Sequence, residues 1–357
     1  MKLVKFSYKD ADWELKDLEL DSLNLVVAKN ATGKSKSLVA MKYLASMLCQ
    51  ESETIKMFPL LNIKIVAEFV DNDDLIKYQF AFKDGKCVSE TFEINNVSYL
   101  KRTPSQGTLQ NLITGENEEI FPPENRLVIN TNRDTKKYSY FERLIDWADI
   151  VAFFDFSNIR PSIHEYDQNK FEYTADLDVP TMMGKLNDIA RELVRKELNS
   201  IGYSIIKISS YENQKKHYYD INEEGCEEPI TSFMLSQGLY RSLALLIYIE
   251  YIISLRHPTM IVIDDLCEGL DYERARKLGE LVFKKCEDSN IQLIATSNDS
   301  FLMDVVDIKY WNVLQRKGSV VTALNNKNHP KLFADFAFTG LSNFDFFSSD
   351  YINRNVK

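Results

Sequence analysis

The chain has 357 residues, 45% hydrophobic and 27% charged, enough for one large domain or two lobes around a substantial core. Its formal net charge of −10 argues against a surface that binds nucleic acid everywhere, and no apolar run approaches the roughly 20 residues that a membrane span needs. The start, Met1-Lys2-Leu3-Val4-Lys5-Phe6, does not read as a signal peptide; five scattered cysteines with no C-x-x-C point to a reducing cytoplasm and no structural zinc.

Residues 1–22 predict a strand, a turn at Lys9-Asp10-Ala11-Asp12 and a second strand through Trp13-Glu14-Leu15. A third strand, Leu23–Val27, runs into the small-residue loop Ala28-Lys29-Asn30-Ala31-Thr32. Gly33-Lys34-Ser35 follows, then a helical pattern (Leu38, Met41, Leu44, Ala45) to about Cys49. Strand, loop and helix in this order is the layout of a phosphate-binding P-loop. Loop N–H groups and the positive end of the helix would face the phosphates. Lys34 would reach the β- and γ-phosphates, and Ser35 would hold Mg²⁺. Asn30, Ala31, Thr32, Gly33, Lys34, Ser35 and Lys36 are the candidate nucleotide-binding residues. One departure stands out: Ala28 replaces the first glycine of G-x-x-x-x-G-K-[ST].

Residues 60–101 change period. Ile63, Ile65, Ala67 and Phe69 alternate with polar neighbours, then Tyr78, Phe80 and Phe82, with turns at Asn72-Asp73-Asp74 and Asp84-Gly85. These predict hairpins in an antiparallel β layer. Residues 102–125, rich in Thr, Ser, Gln, Gly and Pro, read as a mobile loop, and Leu127-Val128-Ile129 as a short buried strand. From about 136 to 200 the pattern is mainly helical, interrupted near Asn158–Pro180. Its clearest helix puts Leu186, Ile189, Ala190, Leu193 and Val194 inside, with Arg191, Arg195 and Lys196 on a solvated face. Strands Ser204–Ser209 and His217–Ile221 flank a turn at Tyr211-Glu212-Asn213-Gln214.

Leu235-Ser236-Gln237-Gly238-Leu239-Tyr240-Arg241 then opens a strongly apolar helix, stopped by His257-Pro258. Ser236 and Gly238 suit a plain N-cap, which is the favoured reading of this segment alone; a helix N-terminus can also bind phosphate. Met260-Ile261-Val262-Ile263 reads as a buried strand of a parallel sheet, with Asp264 and Asp265 at its C-terminal end, where open α/β sheets hold ligands. Asp264 can hold Mg²⁺ and Asp265 can position an attacking water; a helix cap is the plainer use of such acids. Glu268-Gly269-Leu270-Asp271 leads to a helix from Tyr272 to about Cys286, and a strand at Gln292–Ala295 ends in Thr296-Ser297-Asn298, the place for a γ-phosphate sensor.

In this order and spacing the four segments resemble the ABC-type ATPase fold, and more narrowly the SMC/RecF/OLD-related AAA family ATPases of bacteria. The likeness covers roughly residues 1–50 and 230–316, and Leu-Ser-x-Gly is its most specific part. It implies an α/β fold: a P-loop ABC-type head with a mixed central sheet, an antiparallel β layer and a helical lobe. The implied division is a P-loop and β lobe (1–135), a helical insertion (136–235), the rest of the ATPase core (236–325) and an aromatic tail (326–357). ATP and Mg²⁺ are the implied cofactors. Two ATP molecules would lie between two subunits, Ser236 and Gly238 of one completing the site of the other, with Asp271 near that interface.

The chain departs from the family pattern at three further positions. Asp265 stands where Glu is usual, Asn298 where the switch histidine is, and Ala31 at a loop glycine. Asp265 and Asn298, as the catalytic candidates, therefore predict slow hydrolysis and a switch rather than a pump. Asn130 or Asn132 is the candidate Q-loop residue. The leading reading is a cytoplasmic ATPase that dimerises on ATP and controls a separate effector protein, in anti-phage defence or DNA surveillance. A nucleotide-gated scaffold with little turnover is the alternative. An accessory ATPase of a membrane transporter, which would need a coupling groove for its membrane partner, fits least well with the long β-rich insert and the DNA-repair-like style of the motifs. RecF-like relatives bind DNA across the dimer top, but the charge of −10 gives such a surface no support here.

Overall fold

The computed structural model describes residues 1–49, 62–159, 179–213, 216–255, 260–349 and 351–352. The chain divides into two compact units, Met1–Val151 with Lys309–Asp335, and Ala152–Ile308 with Phe336–Lys357.

The first unit begins with the hairpin β1 (Lys2–Lys9) and β2 (Glu14–Glu19), then β3 (Leu23–Val27) and α1 (Lys34–Leu48). An antiparallel meander follows in β4 (Ile63–Asp71), β5 (Asp74–Lys83), β6 (Lys86–Ile94) and β7 (Val97–Arg102). The alternation read from the sequence is the burial pattern: Ile63, Ile65, Ala67 and Phe69 point inward, as do Tyr78, Phe80 and Phe82. The turns fall on Asn72, Asp84-Gly85 and Asn95-Asn96, all at positive φ, where Gly, Asn and Asp are least strained. Two later strands, Trp311–Lys317 and Val320–Asn325, return as a hairpin; the first pairs in parallel with β3 and the second in parallel with β2. The sheet of this unit is thus mixed, with all five residues of β3 buried.

Two expectations fail in this unit. Residues 102–125 contain the hairpin β8 (Gly107–Gln110) and β9 (Asn117–Ile120), paired onto β7. The turn between them is closed by Asn111, whose Oδ1 accepts from the Ile113 N–H at 2.8 Å. Leu127-Val128-Ile129 is not a strand: Val128–Thr131 is a short helix, α2. Its free N–H groups at Val128 and Ile129 donate to the buried Glu90 carboxylate at 2.7 and 3.2 Å, a cap supplied from β6. Helix α3 (Tyr140–Ile150) then packs on α1 and sets Trp147 edge-on against Phe69, with ring centroids 4.8 Å apart.

The second unit holds β10 (Ala152–Asp155), α4 (Val179–Lys185), α5 (Asp188–Ser200), β11 (Ile205–Asn213), β12 (Lys216–Glu223) and β13 (Ile230–Thr231). It continues with α6 (Gln237–Ser254), β14 (Met260–Asp264), α7 (Tyr272–Asp288), β15 (Gln292–Thr296) and α8 (Ser300–Val305). Strands β10, β14 and β15 pair in parallel in that order, as the apolar runs of β14 and β15 predict. A strand at 152–155 corrects the mainly helical reading of 136–200. Tyr211–Asn213 belong to β11 rather than to a turn, and Tyr211 stacks on Tyr218 across the ladder at 5.7 Å. Gln214 and the stop at His257-Pro258 lie outside the described residues.

Helix α5 also differs from expectation. Val194 and Leu198 are buried, but Ile189 is 82% exposed and Leu193 is exposed too. Arg195, read as solvated, donates instead to Ile205 O at 2.9 Å and to Glu192. Behind this helix, Lys285 of α7 bridges Glu197 of α5 and Glu250 of α6, all three largely buried. The C-terminal helix Asn343–Ser348 opens on a Ser342/Asp345 capping box and docks on the end of α8, where Asn343 donates to Val306 O at 3.0 Å. Among the described residues no helix is long and apolar enough to cross a membrane.

Candidate functional site

In the first unit the candidate residues Asn30–Lys36 gather where β3 hands over to α1. The loop is tight: Thr32 N–H donates to Lys29 O at 3.2 Å, and the Ser37 backbone and hydroxyl both return to Gly33 O, at 2.9 and 2.8 Å. Gly33 sits at φ +120°, and a Cβ there would lie 2.7 Å from Trp13 Cζ2. Glycine is therefore required twice, by the backbone and by the indole. Ala31 takes φ +61° without that freedom, and its carbonyl accepts from Arg316 at 3.1 Å.

Gly33 gives α1 no side-chain cap, so the first-turn N–H groups of the helix keep their affinity for an anion. Ser35 is exposed at that end. Lys34 is buried and donates to Ala28 O at 3.0 Å, so its amine lies folded over the loop. Lys36 is turned aside: its amine pairs with Asp10 at 2.7 Å and lies 5.0 Å above the Trp13 ring. Burial alone would raise the Asp10 carboxyl, but hydrogen bonds from Lys36 and from the Asp12 and Trp13 N–H groups outweigh it and hold Asp10 below the usual range. These residues fit a polyphosphate.

The Q-loop expectation is not met by this placement. Asn130 Nδ2 donates to Met47 O at 2.7 Å, close to the C-terminal end of α1. That end is about 20 Å from the loop at a rise of ~1.5 Å per residue. Asn132 closes α2 beside it and accepts from the Thr131 hydroxyl. Both are structural ties.

In the second unit, β14 and β15 bring Asp264, Asp265 and Thr296-Ser297-Asn298 to one end of the parallel sheet. Thr296 is the hinge of this arrangement. Its hydroxyl accepts from the Asp265 N–H at 2.9 Å and donates to Asp264 Oδ1. Ser297 repeats the tie one residue on, donating to Leu266 O at 3.0 Å. The Asp264 carboxylate is thus oriented by a neutral donor. Asp265 takes φ +53°, a backbone region that Asp tolerates and most residues do not. Asn298 is exposed. Asp299 caps α8, accepting from Leu302 N–H at 2.8 Å, and burial pushes its carboxyl up.

Ser236 is the N-cap of α6, with its hydroxyl 3.4 Å from the Leu239 N–H, and it is exposed. A Cβ on Gly238 would meet Leu270 Cδ2 at 3.2 Å, so the helix start packs closely on the Glu268–Asp271 turn. Arg241, which sequence reading passed over, fixes that contact. It is buried and donates to Ser157 O, to Ile159 O at 3.3 Å and to Glu268 O at 3.1 Å. Asp271 caps α7 and pairs with Arg274 at 2.6 Å, and the Arg274 guanidinium lies 4.4 Å over the Tyr203 ring.

Two side chains of the candidate site carry no role in the sequence reading: Trp13 and Arg241. Arg241 has one local signal, a lone arginine in a mostly apolar helix, which needs partners when buried.

No family profile matches the sequence, and no curated protein is similar to it. Among solved structures the chain is similar to an SMC head bound to the C-terminal winged-helix domain of ScpA. That match has a TM-score of 0.57 at 10% identity and covers 93% of this chain and 100% of the other. It is also similar to the Smc head domain with an extended coiled coil bound to the C-terminal domain of ScpA from Pyrococcus furiosus. Here the TM-score is 0.52 at 10% identity, with 94% of this chain and 99% of the other covered. At this identity the likeness shows the fold: an α/β head of the SMC type.

Proposed function

We propose that the chain is an ATP-binding, slowly hydrolysing ABC-type ATPase that dimerises on ATP and controls a separate effector protein. The observation that carries this reading is the loop between β3 and α1. A fully buried strand ends in a loop whose glycine is required by both φ and packing, ahead of an uncapped helix N-terminus. The SMC-type fold supports it, since motifs of this order and spacing then occur on an architecture of the same kind.

ATP is the proposed ligand of Asn30–Lys36, with Lys34 leaving Ala28 O for phosphate oxygens. Lys36 contributes less, because Asp10 holds its amine. Ser35 and Asp264 are the proposed Mg²⁺ ligands; Mg²⁺ supplies charge neutralisation for the phosphates. Asp265 is the proposed water-positioning group and Asn298 the phosphate sensor. Both predict slow turnover: Asp265 is one methylene short of Glu, and Asn298 cannot carry charge. Misplacing a reacting group by ~1 Å costs on the order of 100-fold in rate.

Ser236 and Gly238 are proposed to meet the γ-phosphate of a second copy. The closed dimer then gains contacts that the open pair lacks, and hydrolysis removes them. The SMC heads of similar fold bind ScpA, which supports a partner protein of some kind here. Work in bacterial anti-phage defence or DNA surveillance is the biological setting we propose, by family analogy.

ATP binding and turnover, measured on wild type, Lys34→Ala and Asp265→Asn, test the reading. The account expects Lys34→Ala to lose binding, and Asp265→Asn to bind ATP and lose turnover. Wild-type binding with turnover untouched by Asp265→Asn would favour the scaffold instead. Absence of wild-type binding would refute both.

A further inference from the structure

We infer that the Trp13 indole N–H is a direct ligand for an oxygen of a bound polyphosphate chain; the inference rests on the nucleotide reading of the P-loop. Trp13 is 3% exposed, and its Nε1 is buried with no hydrogen-bond partner. A buried donor without a partner weakens the fold, and such groups persist where something else uses them.

The indole is held in place. Asp10 Oδ1 accepts from the Asp12 and Trp13 N–H groups at 3.0 and 2.8 Å, and Asp10 N–H donates to Trp13 O at 2.9 Å. Lys36 lies over the ring, and the Tyr8 ring stands 5.9 Å away. The ring edge that carries the N–H is pressed on the loop: Nε1 lies 3.0 Å from the point where a Cβ on Gly33 would sit.

Two sets of donors therefore converge on Gly33. One is the uncapped N-terminus of α1, a 15-residue helix; the other is an orphan indole N–H from the β1–β2 turn. A ligand that satisfies both must carry several acceptor oxygens and no donor facing them, which is a phosphate. A base stacked on the indole fits less well, since Lys36 covers the ring. In the structure Lys34 spends its amine on Ala28 O. A phosphate that draws Lys34 away opens the loop beside the indole and gives the N–H its acceptor.

The test is binding of ATP and of inorganic triphosphate, with Mg²⁺, to wild type, Lys34→Ala and Trp13→Phe. Trp13→Phe keeps an aromatic ring and deletes the donor. It should bind both ligands about 10- to 100-fold more weakly, the range for a lost charge-assisted hydrogen bond. Equal binding by Trp13→Phe and wild type would overturn the inference alone. Weakening with ATP but not with triphosphate would overturn the phosphate assignment. No binding by wild type would overturn the nucleotide reading and this inference with it.

A second readout keeps the test independent of how well Trp13→Phe folds. The three indole N–H resonances of the wild-type protein, assigned through Trp147→Phe and Trp311→Phe, report on the native side chain. The Trp13 signal should move downfield on triphosphate binding. The Trp147 N–H, also buried and unpartnered but on α3, should not. A Trp13 signal that stays in place at saturation would refute the inference.

Discussion

Gly33→Ala is the sharpest structural perturbation available at the loop, because its cost has two separable parts. The first is backbone strain: an alanine held at φ +120° pays about 1–3 kcal/mol. The second is a collision, since the new Cβ would lie 2.7 Å from Trp13 Cζ2 and 3.0 Å from Cε2. Overpacking of this kind costs about 1–3 kcal/mol. Together they give about 2–6 kcal/mol against a total stability of order 5–15 kcal/mol. Urea unfolding of wild type, Gly33→Ala, Trp13→Leu and the double variant separates the parts. Leucine lacks the colliding atoms, so the Gly33→Ala cost in that background should fall to the strain alone, leaving a coupling of about 1–3 kcal/mol. Equal cost in both backgrounds would refute the packing argument, and a total below about 1 kcal/mol would refute the strain argument as well.

Other outcomes follow from the second unit. Thr296→Val keeps the shape of a fully buried side chain but removes the hydroxyl between Asp265 N–H and Asp264; it should cost about 2 kcal/mol in urea unfolding and lower turnover more than ATP affinity. Asp265→Asn should be near neutral in stability, whereas Asp265→Glu should cost about 1 kcal/mol at φ +53° while raising turnover; a Glu variant as stable as wild type would contradict the fit of aspartate to this turn. Burial, only partly offset by Lys285 and reinforced by Glu250, raises the Glu197 carboxyl above its ordinary value. A raised carboxyl stabilises the fold at pH below its unfolded value and loses that contribution as pH rises through the folded one. Relative to Glu197→Gln, wild-type stability should therefore fall across that window, read as urea midpoints between about pH 4 and about pH 8; a constant difference would contradict it.

What the sequence revealed depended on how local the cause was. Strand β3 and the β4–β7 meander were legible because an apolar run, alternation and turn residues such as Asp84-Gly85 act within a few positions. The helix at Val128–Thr131 was not, since its cap comes from Glu90 in another strand. Ile189 and Leu193 share the periodicity of a core face, yet the neighbouring elements leave them in solvent. The β8–β9 hairpin hid in a polar composition that also describes loops. Among the candidate site residues, Lys34, Ser35 and Asp264 were marked by motif order. Trp13, Thr296 and Arg241 act through contacts at sequence separations that no short pattern records: Trp13 on Gly33, Thr296 on Asp264 and Arg241 on Ser157.

The central claim is that ATP at the P-loop joins two copies of this chain. Its most direct test is the mass in solution, by light scattering, of wild type and Lys34→Ala with and without ATP and Mg²⁺. The account predicts a wild-type mass that doubles from the 41.4 kDa monomer only with nucleotide, and a Lys34→Ala mass that does not change. A wild-type mass indifferent to ATP at saturating nucleotide would contradict it.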